Sequence, residues 1–265
     1  MAISMDSLVA RELGLTLTVL GSGTSIPSRR RAPAHLVRAG DLALLVDCGS
    51  GCTTSLFAAG VSLDRLSGIL LTHLHPDHTA DLVPLLFALV NPAHPRRVSE
   101  LPLWGPEGCA AHLEALRSVY GRWIRPEGYD LRVEQLDEGG CIVVGPLTVT
   151  AYRVAHTRAS LAYRVETDRA SLCLSGDSGP CTSLERAARD VDLLLCECSV
   201  LEGEEVEGHL TATQVGELAA TASVRRVVLT HLYEHIERAD PVARVRACYD
   251  GAVELAEDGR TYALA

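Results

Sequence analysis

The sequence predicts an α/β fold in which sheets are covered by helices, and two observations carry that expectation. Short β-rich runs alternate with helix-like segments along the whole chain. There is also an internal echo: "ILLTHLHPDH" at 69–78 and "VVLTHLYEH" at 227–235 both close an apolar run in Thr-His-Leu, while "LVDCGSG" and "LSGDSG" both close one in an aspartate beside glycine, at Asp47 and Asp177. Two similar β-rich halves facing each other would leave such a trace, and would gather polar residues where strands end, at one edge of a sheet sandwich.

Taken in order, strands are expected at 15–21, 42–49, 68–74, "CIVVG", 147–154, "SLAYRVET", 171–177, 192–199 and 226–232. Helices are expected at 51–60, 80–90, 107–118, 182–189, 211–222 and 241–248. The fifth helix opens at "LTATQ", with Thr211 as N-cap and Gln214 three residues on, a capping-box pattern. Residues 91–140, with several Pro and Gly, read as irregular, a lid or an insertion. The assignment is one domain over 1–265, with 1–13 as an N-terminal extension.

Composition bounds the function. A chain of 265 residues, 47% hydrophobic and 22% charged, suits one large globular domain, and with only 4% aromatic its core must be mainly Leu, Val and Ala. No run of ~18 apolar residues and no signal peptide is seen, so a soluble cytoplasmic protein with no membrane partner is expected. The nine cysteines are odd in number and dispersed; the close pairs Cys48/Cys52 and Cys196/Cys198 lack CxxC spacing and are expected to be reduced small core residues. A net charge of −10 opposes unaided affinity for a polyanion, although bound dications would offset it locally.

The densest chemistry is "HLHPDH". Pro76 blocks helix continuation, so the polar residues are expected on a tight loop, with His73 and His75 facing one side and Asp77 and His78 another. Imidazoles at this density repel once protonated, which favours neutral rings sharing a cation.

His73-Leu74-His75-Pro76-Asp77-His78 resembles the H-x-H-x-D-H signature of the metallo-β-lactamase superfamily. Downstream, His156 resembles the family's third ligand histidine, Asp177 in "SGDSG" its bridging aspartate, and His231 its last ligand. The resemblance runs from about residue 15 to the C-terminus and implies a four-layered αββα sandwich, two mixed β-sheets flanked by helices. It implies one metal held by His73, His75 and His156, a second by Asp77, His78 and His231, and Asp177 between them. Nitrogen and carboxylate donors without thiolate suit two Zn2+ first, then Mn2+ or Fe2+. Asp47 resembles the aspartate that orients a ligand histidine.

"VLGSGTSIPSRRRAPAHLV" and "EGHLTATQVGELA" are similar to elements of the ribonuclease Z-like branch, in which His209 matches a histidine beside the scissile phosphate. The implied activity is metal-dependent phosphodiester hydrolysis by a water activated between the metals, Asp77 orienting it or taking its proton and His209 serving the departing oxygen. Gly21 and Gly23 could allow close backbone approach near the site, and Arg29, Arg30 and Arg31 either steer phosphate or form an exposed loop face. Members of the branch that process tRNA carry a protruding arm, commonly between the segments bearing His156 and Asp177. Here only residues 157–176 lie between them, too few for such an arm. A small phosphodiester or nucleotide-like substrate is therefore expected ahead of tRNA 3′-processing, with lactone or thioester hydrolysis as a second alternative. A homodimer is common in this branch, and "VPLLFALV" reads as a core helix or an interface.

Overall fold

A computed structural model describes residues 14–264 apart from Glu205; the expected extension over 1–13 lies outside the described residues. The strands are short apolar runs, and those at the centre are buried on both faces, as strands covered by a layer on each side must be. The first half of the chain forms β1 (Thr16–Gly21), β2 (Ala34–Ala39), β3 (Leu42–Val46), β4 (Gly68–Leu70), β5 (Leu101–Gly105) and β6 (Leu131–Gln135). The second forms β7 (Cys141–Val144), β8 (Leu147–Arg153), β9 (Leu161–Glu166), β10 (Ser171–Leu174), β11 (Leu193–Glu197), β12 (Arg226–Thr230) and β13 (Ala252–Leu255). A last strand, β14 (Thr261–Ala263), returns to the first sheet beside β1.

The result is two seven-stranded mixed sheets, ordered β14-β1-β2-β3-β4-β5-β6 and β13-β12-β11-β10-β9-β8-β7. Leu17, Leu44, Leu70 and Trp104 of the first sheet pack between the sheets against Val149, Tyr163, Leu172 and Val228 of the second. The outer face of the first sheet is covered by α1 (Cys52–Ala58), α3 (Leu82–Val90) and α4 (Cys109–Tyr120), through Leu56, Leu85, Leu86 and Leu113. The outer face of the second is covered by α5 (Thr182–Ala188), α6 (Ala212–Thr221), α7 (Glu234–Arg238) and α8 (Pro241–Arg246), through Leu184, Val215, Ile236 and Val245. The four layers are therefore αββα. Removing a fully buried side chain between sheets, as in Leu44→Ala, costs about 2–5 kcal/mol.

Three local expectations give way. Residues 91–140 are not irregular: they supply β5 and β6, which extend the first sheet beyond β4, and α4, which packs against it. Helix α4 matches the helix expected at 107–118, whereas β5 and β6 were obscured because Pro102 sits inside β5 and both strands are short. Pro76 does not hold "HPDH" in an open loop; it takes the first position of the short helix α2 (Pro76–Thr79), where its missing N–H is no loss. Strands β2, β13 and β14 were not anticipated, β2 because His35 and Arg38 interrupt its apolar pattern. At α6 the capping box is present, with Thr211 accepting from the Gln214 amide and Gln214 accepting from the Thr211 amide. The segment "VPLLFALV" is α3, with Leu82, Leu85, Leu86 and Leu89 buried beneath it and Phe87 exposed. Among the described residues no helix is long and apolar enough to cross a membrane.

Candidate metal centre

In both sheets the carboxyl ends of the parallel strands open on one edge, where open α/β sheets place their ligands. Asp47 follows β3, His73 follows β4, Asp177 follows β10, Glu197 ends β11 and His231 follows β12. The loop after β8 adds His156, and α2 adds Asp77 and His78. Strands distant in sequence thus deliver their polar ends to one place.

The sequence-predicted donors all converge there, in overlapping groups. His73, His75, His156 and Asp177 bring one donor atom each to within 4.8 Å of one another, and so do Asp77, His78 and His231; Asp177, His209 and His231 form a third such set. Asp177 sits among the rings, with carboxylate oxygens 3.7 Å from His73 Nε2, 3.4 Å from His78 Nε2, 3.8 Å from His156 Nε2 and 3.3 Å from His231 Nε2. Asp77 lies 3.5 Å from His231 Nε2.

Orientation comes from groups behind the rings. Asp47 accepts from His78 Nδ1 at 2.7 Å, leaving Nε2 facing Asp177, and accepts from Thr72 Oγ1, whose oxygen in turn lies 3.0 Å from His73 Nδ1. A single carboxylate therefore sets one histidine directly and a second through a hydroxyl. His156 Nδ1 donates to the Gly208 carbonyl at 2.9 Å. Gly208 has φ 85°, and a Cβ there would lie 2.8 Å from His156 Nδ1, so the "GH" dipeptide requires its glycine. Asp47 and His231 also adopt left-handed backbone, at φ 59° and 56°.

His73 Nε2, His78 Nε2, His231 Nε2 and Asp177 Oδ1 are buried without a hydrogen-bond partner. Orphaned polar atoms converging in this way are costly unless something shared satisfies them, and an all-nitrogen-and-oxygen donor set fits a borderline or hard dication. Burial, reinforced by the neighbouring His78, pushes His73 down to about 2, so it stays neutral and able to donate a lone pair. Burial opposes charge on His78 and His231 too, but Asp177 and their other carboxylate neighbours outweigh it and raise both. Burial likewise works against the Asp77 carboxylate, yet the neighbouring His231 and His78 imidazoles hold it down to about 2.

Sequence reasoning missed Glu197. Its carboxylate is fully buried, accepts from His209 Nδ1 at 2.7 Å and from the Ser178 amide at 3.0 Å, and takes a hydrogen bond from Ser199 Oγ. His209 is only half-buried; burial lowers its affinity for a proton, but the Glu197 bond more than offsets this and raises it. The signal was an acidic residue at the end of a wholly buried strand, "LLLCE". Cys48, Cys52, Cys196 and Cys198 are free, buried side chains. The arginine run is engaged elsewhere: Arg29 and Arg30 pair with Glu237, and Arg31 lies 3.8 Å from Asp258. Gly21 and Gly23 serve close approach to that same loop, since their added Cβ atoms would lie 1.9 Å from the Ala32 carbonyl and 2.7 Å from Arg30 Cβ.

Two facing mixed sheets with histidines and aspartates at their shared edge define a metallo-hydrolase sandwich, and comparison with known proteins agrees. The Beta-lactamase superfamily domain matches residues 43–232. A protein named Ribonuclease Z from Mycobacterium sp. strain KMS is 34% identical over 272 residues, covering 92% of this chain and 94% of that protein. The metallo-beta-lactamase fold protein YhfI from Bacillus subtilis superposes with a TM-score of 0.81 at 24% identity, over 95% of this chain and 100% of that one. Human tRNase Z, short form, superposes with a TM-score of 0.76 at 23% identity, over 94% and 99% of the two chains. The chain belongs to the β-lactamase superfamily, as a ribonuclease Z-like hydrolase.

Proposed function

We propose that this protein is a binuclear metal-dependent phosphodiesterase acting on small phosphodiesters. The observation that carries the reading is the pair of donor groups sharing Asp177, with the His209–Glu197 pair set beside them. His73, His75 and His156 would hold one cation, Asp77, His78 and His231 the other, and Asp177 would contact both, with Zn2+ first by donor chemistry and Mn2+ or Fe2+ next. When bound, such a pair supplies a water activated near neutral pH and positive charge for the phosphoryl oxygens.

The remaining steps belong to the chain's own residues. Asp77, held as a carboxylate, orients the attacking water or accepts its proton. Glu197 raises the basicity of His209 and holds its Nδ1–H, so that Nε2 can carry a proton to the departing ester oxygen. Asp47 keeps His78, and through Thr72 His73, in the tautomer that offers Nε2. Water is limited by burial of His73, His78, Asp177 and His231.

The small-substrate preference rests on the stretch between His156 and Asp177, which is occupied by the β9–β10 hairpin and its turn at Thr167–Ala170, and on the net charge of −10. The second reading, tRNA 3′-end cleavage, is favoured by the name of the 34% identical relative. A panel on metal-loaded protein tests both: bis(p-nitrophenyl) phosphate, cyclic and linear small diesters, a thioester, a lactone and precursor tRNA. Chelation should abolish diester turnover. Turnover that survives chelation, or faster cleavage of precursor tRNA than of any small diester, would reject the primary reading.

A further inference from the structure

A cavity of about 640 Å³ opens directly beside the metal centre, and His156 and His209 form its inner wall. Val200, Glu204, Val206 and Glu207, from the segment that joins β11 to α6, also line it. Beyond Pro180 and Gln214, which line both spaces, a second cavity of about 370 Å³ continues between α5 and α6, carrying Glu185 and Glu217 beside Leu210 and Leu218. Among the described residues neither cavity is lined by a lysine or an arginine. The cleft is therefore roomy, partly apolar and edged by carboxylates without a lysine or an arginine.

Its position fixes what enters it. His209 faces the metal centre on one side and the cavity on the other, so the ester oxygen it serves must carry its substituent into this space. The volume falls in the range of small-molecule pockets, roughly 300–1,000 Å³. A leaving polynucleotide strand would bring a phosphate at every residue to within the ~8 Å over which charges interact at physiological ionic strength. It would meet Glu204 and Glu207 there, with no lysine or arginine among the lining residues. An uncharged or cationic group keeps the apolar contacts of Val200 and Val206 without that repulsion.

Resting on the phosphodiesterase reading, we infer that the leaving alcohol is a compact, uncharged or cationic organic group seated in this cleft. Glu204 and Glu207 are specificity-determining residues that turn away anionic leaving groups. Neither is needed for the chemical step. Glu204 accepts from the Leu201 amide, a bond that the glutamine oxygen can also accept, so Glu204→Gln removes charge while keeping the loop contact.

The test uses three methyl aryl phosphodiesters whose aryl leaving group bears a trimethylammonium, no charge or a sulfonate, given to metal-loaded wild type and to Glu204→Gln/Glu207→Gln. Intrinsic leaving-group reactivity cancels when the cation-to-anion ratio of kcat/KM is compared between the two proteins. That ratio should fall roughly tenfold in the variant, through KM, with kcat for the uncharged diester unchanged. In wild type alone it should shrink as salt rises from about 0.05 to about 0.5 M. A ratio equal in both proteins, a change carried by kcat, or a salt-independent ratio overturns the inference while leaving the phosphodiesterase reading standing. Absence of chelator-sensitive turnover for all three diesters overturns both.

Discussion

Asp77, His78 and His231 form the deeper of the two donor groups, with both rings buried and His78 backed by Asp47; in the other group His75 is exposed and His156 only partly covered. The two share Asp177 but not their support. Asp47 touches His78 directly and reaches His73 only through Thr72, while His156 leans on the backbone carbonyl of Gly208. A carboxylate behind a ring raises its basicity and fixes its tautomer more firmly than a neutral carbonyl does, so His78 is better preorganised than His156. The more open group is the one that faces the cleft and the substrate.

The comparison breaks most completely at the shared residue. Asp177→Ala should remove both cations and lower diester turnover by roughly 10³-fold or more, with metal per chain measured by elemental analysis falling in step. His209→Ala should lower kcat by about 10²–10⁴-fold while metal content stays at the wild-type level, because the residue serves the leaving group. Glu197→Gln should give a smaller loss, about 10–100-fold, and shift the alkaline limb of the kcat profile to lower pH as His209 loses the carboxylate that raises it. Asp47→Asn sharpens the contrast itself: one of two cations should bind about 10–100-fold more weakly in a competitive chelator titration, and it should be the one held by His78. Equal weakening at both sites would show that the two groups are supported alike.

The smallest effect concerns His35, buried beneath the deeper group, where burial, with His78 and His231 nearby, pushes its basicity down to about 3. In the unfolded chain it takes a proton below about 6.5, in the folded chain only below about 3, so the unfolded state binds more protons between these limits. Its contribution to stability is intact above pH 6.5 and drains away as pH falls towards 3. His35→Gln should flatten that part of the stability-versus-pH curve, measured by denaturant melts against wild type.

What could be read in advance divides along similar physical lines. The strands that deliver His73, Asp177 and His231 were legible because each is an unbroken apolar run ending abruptly in a polar residue, and the Thr-His-Leu echo paired the two halves. Helix α6 was legible from its cap. Strands β5 and β6 were hidden by proline and by partial exposure, and β14 by being three residues long. Glu197 stayed invisible for a different reason. An acidic residue closing the buried run "LLLCE" signals only that it needs a partner, and the partner is His209, which a loop and a positive-φ glycine bring back over it. The cleft likewise exists only in three dimensions, though its acidic wall is plain in "LEGEEVEGH".

The left-handed backbone at His231 has one more consequence. For a residue with a Cβ, that conformation costs about 1–2 kcal/mol relative to glycine, so position 231 is held against the chain's own conformational preference. His231→Gly should then melt at a higher temperature than His231→Ala, although both lose the same donor. The same backbone strain thus separates two variants that no assay of turnover or metal content could tell apart.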